Sequence, residues 1–441
     1  ADPGDWITAQ ENAGTVDGGL FKGCVEDPNA NSQNSSWHGT QTAGILAAQT
    51  NNATGMGGMV PNGKVLPVRV LGKCGGYDSD IIAGMEWAAG ISVSGVPDNL
   101  HPARVLNMSL GGQDSCDQAY QDVVDTLTSM NVVVVVAAGN DEGLALGAPA
   151  DCVGAVAVAG LRQAGDKVGY SDIGSNVTIA APAGNCVNTG LNQPCLYPIL
   201  TSSNTGATSP GNPTYTDSFN ASLGTSFSTP LVAGTVALML SVSPNLTNSE
   251  VISVLQSSAT PFPTSGGSAG TSACLPPSGT QQDECYCTTS TCGAGMLNAH
   301  SAVNMATMPF AVITGDDSGT VGAAVPLSAA NSVVATGRTV TSYLWQVTDG
   351  AGVANLSSTT GADVELNGVA AGTATVQLTV TDSTGAQTST SDQVTFGSTS
   401  TGGGGGAANP VWLLGLLLAG SLLVPRAKAR ARRANRAVNE R

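Results

Sequence analysis

Apolar residues over the first 308 positions fall in short continuous runs separated by stretches with helical spacing. The runs Lys64–Val70, Arg104–Met108, Val132–Ala138 and Val153–Ala159 have the length and β-branched content of strands buried on both faces. Between them, Ser79–Ala89 and Asp117–Met130 read as helices. A further helix follows Thr225 and continues through Ala233–Leu240. The next opens on a capping box, Thr247-Asn-Ser-Glu250, whose Thr and Glu side chains satisfy each other's backbone N–H groups. Strands alternating with helices of this length predict an α/β fold with a doubly wound, mainly parallel sheet over residues 1–308.

The texture changes at Pro309. Short segments with period-two alternation (Tyr343–Val347, Asp363–Leu366, Thr375–Val380) are separated by turn pairs such as Asp349-Gly350 and Thr384-Gly385. Residues 309–397 are therefore expected to form an all-β, immunoglobulin-like sandwich. Ser342–Val347 and Ala374–Asp382 resemble the PKD-type modules of bacterial secreted proteins. Residues 398–409 form a Gly/Ser/Thr linker with five consecutive glycines. The apolar stretch 410–425 follows, and residues 426–441 are basic. Its nearly unbroken apolar core, the fourteen residues Val411–Val424, would span about 21 Å as a helix against a hydrocarbon core of about 30 Å. An apolar run closed by cations nevertheless reads as a transmembrane stop with a basic cytoplasmic tail.

Charge sharpens this division. The chain of 441 residues has a net charge of −16, yet seven of its 15 Lys and Arg lie in the tail, so the preceding 425 residues carry −22. An acidic body argues against nucleic-acid binding, which needs a basic face. Ten cysteines in a chain with only 10% charged residues point to an oxidising compartment, hence to export. The sequence begins at Ala1 without a basic or apolar leader, so a truncated or processed start is expected.

Only three histidines are available as a base near neutral pH: His38, His101 and His300. His101 sits in a Pro-flanked turn and His300 on an Ala-rich segment, and both read as structural. His38 stands in Ser-Ser-Trp-His38-Gly-Thr at the start of an apolar helix running to Ala48. Gly224-Thr-Ser226-Phe-Ser-Thr-Pro230 crowds small residues around a serine on the first turn of a buried helix, where the helix dipole favours developing negative charge. It is not the G-x-S-x-G elbow, since Ser228 occupies the last glycine position. Gly315-Asp-Asp-Ser318-Gly319, which looks like the serine turn of chymotrypsin-like enzymes, is set aside because it opens the sandwich and follows every histidine.

His38-Gly-Thr with Ala43-Gly44, Ser109-Leu-Gly-Gly112, Ala137-Ala-Gly-Asn140 and Gly224-Thr-Ser-x-Ser-Thr-Pro230 together resemble the subtilisin-like serine proteases, in the order and spacing of that family. The resemblance implies a three-layer sheet with Ser226 as nucleophile and His38 as general base. It also implies an oxyanion hole made by the Asn140 amide and the Ser226 N–H. Ser109, Leu110 and Gly111 would pair with an extended substrate backbone. Ala137, Ala138 and Gly139 would leave room for a substrate side chain. The implied partners are protein or peptide substrates, and catalysis needs no cofactor.

Two departures stand out. Gln41 and Thr42 replace the second His and the Val of the family motif. No Asp-Thr/Ser-Gly turn precedes His38, Asp17-Gly18-Gly19 being the nearest approach. The triad Asp is expected upstream of residue 1, because the loop from Asp2 to Trp6 and the segment Asn34–His38 resemble the region before the catalytic His in extracellular subtilases of Gram-negative bacteria. The competing class is a non-catalytic surface binding protein on the same scaffold. Asp2 and Asp5 suit either the end of a structural calcium loop or a solvated acidic turn. The cysteines resemble that subgroup's pairs, Cys24 with Cys74, Cys116 with Cys152 and Cys186 with Cys195. Cys274, Cys285, Cys287 and Cys292 suit disulfides or a zinc site. The tail resembles the GlyGly sorting signal of exported proteins, which implies export machinery, a rhomboid-type processing protease and transient anchoring at a cell surface.

Overall fold

The computed structural model describes residues 10, 35–72, 75–186, 194–267 and 270–398. Asp2, Asp5, Asp17, the Cys24–Cys74 pair, the apolar stretch and the basic tail lie outside the described residues. Four parallel strands form the central sheet: β1 (Val105–Met108), β2 (Val133–Ala137), β3 (Val156–Leu161) and β4 (Ile179–Pro182), in that spatial order. The five residues of β2 are all buried, as a strand covered on both faces must be.

Each face of the sheet carries a separate apolar cluster. On one side lie α2 (Asp78–Ala88) and α3 (Gln118–Ser129), with Met85, Val124 and Leu127 buried against Val134 and Val136. The opposite side holds α4 (Thr225–Val242), α5 (Asn248–Ser257) and α6 (Ala299–Ala306), with Val232, Val236 and Met239 packed on Val133, Val135 and Val158. The helix α1 (His38–Ala47) packs beside α4. Helix α4 is apolar all round, the pattern of a helix buried on every side. It is also the one described helix long and apolar enough to cross a membrane, and most of it is buried within the protein. The capping box of α5 is complete, with Thr247 Oγ1 accepting from Glu250 N–H and Glu250 Oε2 accepting from Thr247 N–H at 2.7 Å.

One expected strand is not paired within the described part of the sheet. Lys64–Val70 runs extended and alternates half-buried Leu66, Val68 and Val70 with exposed neighbours, but pairs with no strand among the described residues. Its apolar side, at Val68 and Val70, packs on the core. Val153–Ala159 is shifted: Val153 is exposed, Gly154 turns the chain at φ +94°, and pairing starts at Val156.

An antiparallel pair, β5 (Ser202–Asn204) and β6 (Pro213–Tyr215), precedes α4 in the chain. The β-rich region forms two four-stranded sheets. One contains β8 (Ser318–Thr320), β10 (Val340–Asp349), β13 (Gly372–Asp382) and β14 (Gln387–Gly397). The other contains β7 (Thr314–Gly315), β9 (Ala324–Ser328), β11 (Ala354–Leu356) and β12 (Asp363–Gly368). In β13 the buried positions alternate, Ala374, Val376, Leu378 and Val380 facing inward. Trp345 is fully buried between the sheets, and its Nε1 donates to Gly361 O at 3.0 Å. Trp345→Ala is expected to destabilise the sandwich by about 3–5 kcal/mol, the usual cost of emptying a buried aromatic site. A urea titration followed by far-UV circular dichroism reads this as a lowered midpoint.

The sandwich touches the α/β part directly. Thr336 N–H donates to Val242 O at the end of α4, and Arg338 Nη1 donates to Thr307 O and to Asp382 Oδ2 at 2.7 and 2.8 Å. Gly315–Gly319 forms an exposed to half-exposed turn across β7 and β8, far in sequence from His38.

Four disulfides are formed among the described cysteines: Cys116–Cys152, Cys186–Cys195, Cys274–Cys285 and Cys287–Cys292. The sulfurs of Cys274, Cys287 and Cys292 lie close together, but each is committed to a disulfide, which leaves no thiolate there for zinc.

Candidate active site

The N-terminal ends of α1 and α4 meet, and each contributes one reactive group. His38 is the first residue of α1, and its ring packs on Phe227 with centroids 5.6 Å apart. Burial holds the His38 pKa below its ordinary value, so the imidazole is neutral at neutral pH. Among the described residues no carboxylate pairs with it. His101 and His300 are exposed elsewhere, His300 bonding Asn304 within its own helix at 2.8 Å.

Ser226 is the second residue of α4. The preceding Gly224 has φ +143°, a backbone region that L side chains rarely adopt, and this turn directs the chain into the helix. Ser226 Oγ donates to Ser109 O at 3.3 Å, and Ser109 Oγ donates to Ser226 O at 2.7 Å. Pro230 explains why that second bond is available. An α-helical N–H at position 230 would take the Ser226 carbonyl, but proline has none, and the carbonyl is left for the Ser109 hydroxyl. Ser228 and Thr229 are not free alternatives, because both hydroxyls donate to Thr225 O at 2.8 Å.

Asn140 follows β2 and reaches the same helix end. Its Oδ1 accepts from Thr225 N–H at 2.9 Å and from Thr225 Oγ1 at 3.1 Å. With the oxygen held, the amide Nδ2 is turned outward as a donor. Neither Asn140 Nδ2 nor the Ser226 N–H has a hydrogen-bond partner among the described residues. The two are close neighbours: a Cβ placed on Gly224 would lie 3.7 Å from each nitrogen and 3.6 Å from Asn140 Oδ1. Two unpaired donors converging at a helix N-terminus form a cradle for an anionic oxygen.

Ser109 and Leu110 are half-buried and Gly111 is exposed just past β1, while Ala137 and Ala138 are buried and Gly139 half-buried at the end of β2. Of these, Ser109 bonds Ser226 and Gly139 bonds Thr225, which places both at the start of α4.

Gln41 is the residue whose importance the sequence pattern understates. Its amide is buried, with Nε2 donating to Ser36 O and Ser203 Oγ at 3.3 Å each and Oε1 accepting from Ser222 Oγ at 2.9 Å. The Gln41 carbonyl also accepts from Thr201 Oγ1 at 2.6 Å. Gln41 thereby fastens the helix bearing His38 to the segment that leads into Ser226, a task that needs both a donor and an acceptor.

A histidine and a serine thus stand on adjoining helix starts, beside two unpaired donors at the end of a parallel sheet, residue types and an arrangement that suit a serine hydrolase. The chain belongs to the subtilase family, whose sequence pattern matches residues 22–286, and residues 306–396 match the PKD domain. It is 40% identical over 310 residues to an extracellular protease of Xanthomonas campestris, covering 69% of this chain and 44% of that protein. It is 38% identical over 260 residues to an extracellular basic protease of Dichelobacter nodosus, covering 58% and 39%. A subtilisin of Bacillus pumilus is 35% identical over 233 residues, 52% of this chain and 72% of that protein. The chain thus spans less than half the length of the two extracellular proteases. Among solved structures, a protease from Pseudoalteromonas arctica superposes with a TM-score of 0.55 at 39% identity, covering 69% of this chain and 77% of that one.

Proposed function

We propose that the protein is an exported serine endopeptidase that hydrolyses peptide bonds through an acyl-enzyme. The observation that carries this reading is the pair of unpaired donors, Asn140 Nδ2 and Ser226 N–H, beside the Ser226 hydroxyl. Ser226 Oγ attacks the scissile carbonyl carbon while neutral His38 takes its proton. The carbonyl oxygen becomes anionic and is held by the two donors. As the intermediate collapses, the C–N bond breaks and His38 returns the proton to the departing amine. Water then attacks the ester, again through His38, and releases Ser226. The orienting carboxylate of the triad lies outside the described residues under this reading.

The substrate is an extended protein or peptide segment. Ser109–Gly111 supplies backbone for an added strand, and the small residues Ala137–Gly139 leave room for a side chain. Four disulfides favour an oxidising compartment, in keeping with the names of the two extracellular relatives. A structural calcium at Asp2 and Asp5, and a tail handled by export machinery and a rhomboid-type protease, extend the proposal beyond the described residues.

Asn140→Ala tests the reading. The kcat for a chromogenic peptide is expected to fall about 10²–10³-fold with KM little changed, as measured for the corresponding deletion in subtilisin, a relative. An unaltered kcat would remove Asn140 from the oxyanion hole.

A further inference from the structure

The residues behind Asn140 hold a second charged group with no place in the triad. Asp172 is 2% exposed and sits 31 residues downstream of Asp141 in sequence. Its own N–H donates to Gly139 O at 3.1 Å, while its carboxylate accepts the Asp141 N–H at 3.1 Å and the Leu144 N–H at 3.0 Å. The peptide units on both sides of Asn140 are thus held by one residue. Gly139 has φ +116°, and any side chain there would run into the Asp172 carboxylate.

The loop that presents Asp172 is itself fixed. Lys167 is fully buried, and its ammonium donates to the carbonyls of Val168, Gly169 and Ser171 at 3.1, 2.6 and 3.1 Å. All three ammonium protons find acceptors within four residues. From the same loop, Tyr170 OH accepts the Gly224 N–H at 3.1 Å, two residues before Ser226. One loop therefore touches the backbone of both elements that supply the two donors.

We propose that Asp172 is a positioning residue for the oxyanion hole, fixing Asn140 by holding the peptide unit on each side of it. The proposal rests on Asn140 acting as an oxyanion donor. A donor contributes to the transition state only if it is already aimed at the developing oxyanion, so loosening the turn lowers kcat more than it raises KM. The protonation state of Asp172 enters as well. Burial pushes its carboxyl up to about 7, and the charged groups facing it are Asp141, which raises it further, and Lys167, which lowers it. Protonation at Oδ2 removes one of the two contacts to the Asp141 N–H and leaves Oδ1 as the acceptor for both Asp141 and Leu144, a weaker hold on the turn. Activity on the acid side then depends on two groups, Asp172 and His38.

The test uses the full-length chain and a chromogenic peptide, with Asp172→Ala, Asp172→Asn, Asn140→Ala and the double variant Asn140→Ala/Asp172→Ala. Asp172→Ala is expected to lower kcat at least about 10-fold with KM little changed. Asp172→Asn keeps one acceptor oxygen and is expected to fall between Ala and wild type. In the Asn140→Ala background, Asp172→Ala is expected to cost little more, because the group it positions is already gone. The acid limb of the kcat profile, steep in the wild type, is expected in Asp172→Asn to follow His38 alone. If Asp172→Ala costs the same factor with and without Asn140, Asp172 acts on the fold generally and the proposal is overturned. If Asp172→Ala does not fold, the Asn variant decides by the same two readouts. A wild-type chain that neither cleaves peptides nor labels at Ser226 overturns the protease reading itself, a failure distinct from the first.

Discussion

Ser226→Ala is expected to abolish peptide hydrolysis, with kcat falling about 10⁶-fold, the size of the loss in subtilisin, a member of the same family. The effect is large because no neighbour can substitute. Ser228 and Thr229 lie on the same helix turn, but their hydroxyls are bound to Thr225 O. The Ser109 hydroxyl is committed to the carbonyl of Ser226. The variant is expected to fold normally: Ser226 is 9% exposed, Ala favours helix, and the lost bond to Ser109 O is long at 3.3 Å. Unchanged thermal unfolding with lost turnover separates chemistry from stability. Turnover that survives would place the nucleophile elsewhere.

His38→Ala is expected to cost a comparable factor, and the double variant with Ser226→Ala to be no worse than either alone, since the two groups act as one unit. The pH dependence follows from the direction of the His38 shift. Burial keeps the imidazole pKa below its usual value, so the base is neutral and active at pH 7. Activity therefore persists to lower pH than an ordinary imidazole would allow, and is lost once the ring takes up the proton it needs to receive from Ser226. A kcat/KM profile on the wild type checks this. Residual kcat/KM in His38→Ala that keeps the same acid limb would exclude that residue as the base.

Much of the scaffold follows from local pattern. The five-valine strand β2, the capping box before α5 and the Gly224-to-Pro230 segment are each legible because their causes lie within a few residues. The start of α4 is also local: glycine for the turn, serine presenting a hydroxyl at the first helical turn, proline to free a carbonyl. Sheet membership is not local. Lys64–Val70 has strand composition but finds no ladder partner among the described residues, whereas the short Ile179–Pro182, with two alanines and a proline, escapes a composition-based reading and yet pairs with β3.

The site divides in the same way. His38, Ser226 and Asn140 were visible as motifs, and the structure brings their elements to one helix end. Thr225 and Gln41 lie within motif segments that say nothing of their bonds, and Asp172 lies in none. Their importance lies in hydrogen bonds to residues 85, 181 and 31 positions away, which only the folded chain brings together. A buried Asp in Tyr170-Ser-Asp172 had one available signal: a charged residue between the apolar Val168 and Ile173.

The central claim, that Ser226 is an activated nucleophile, is tested most directly by covalent labelling. The full-length chain is treated with a fluorophosphonate probe, digested and mapped by mass spectrometry. The account predicts one adduct, on the Ser226 hydroxyl, absent in Ser226→Ala and strongly slowed in His38→Ala. An adduct on another residue, or equal labelling of the wild type and Ser226→Ala, would contradict it.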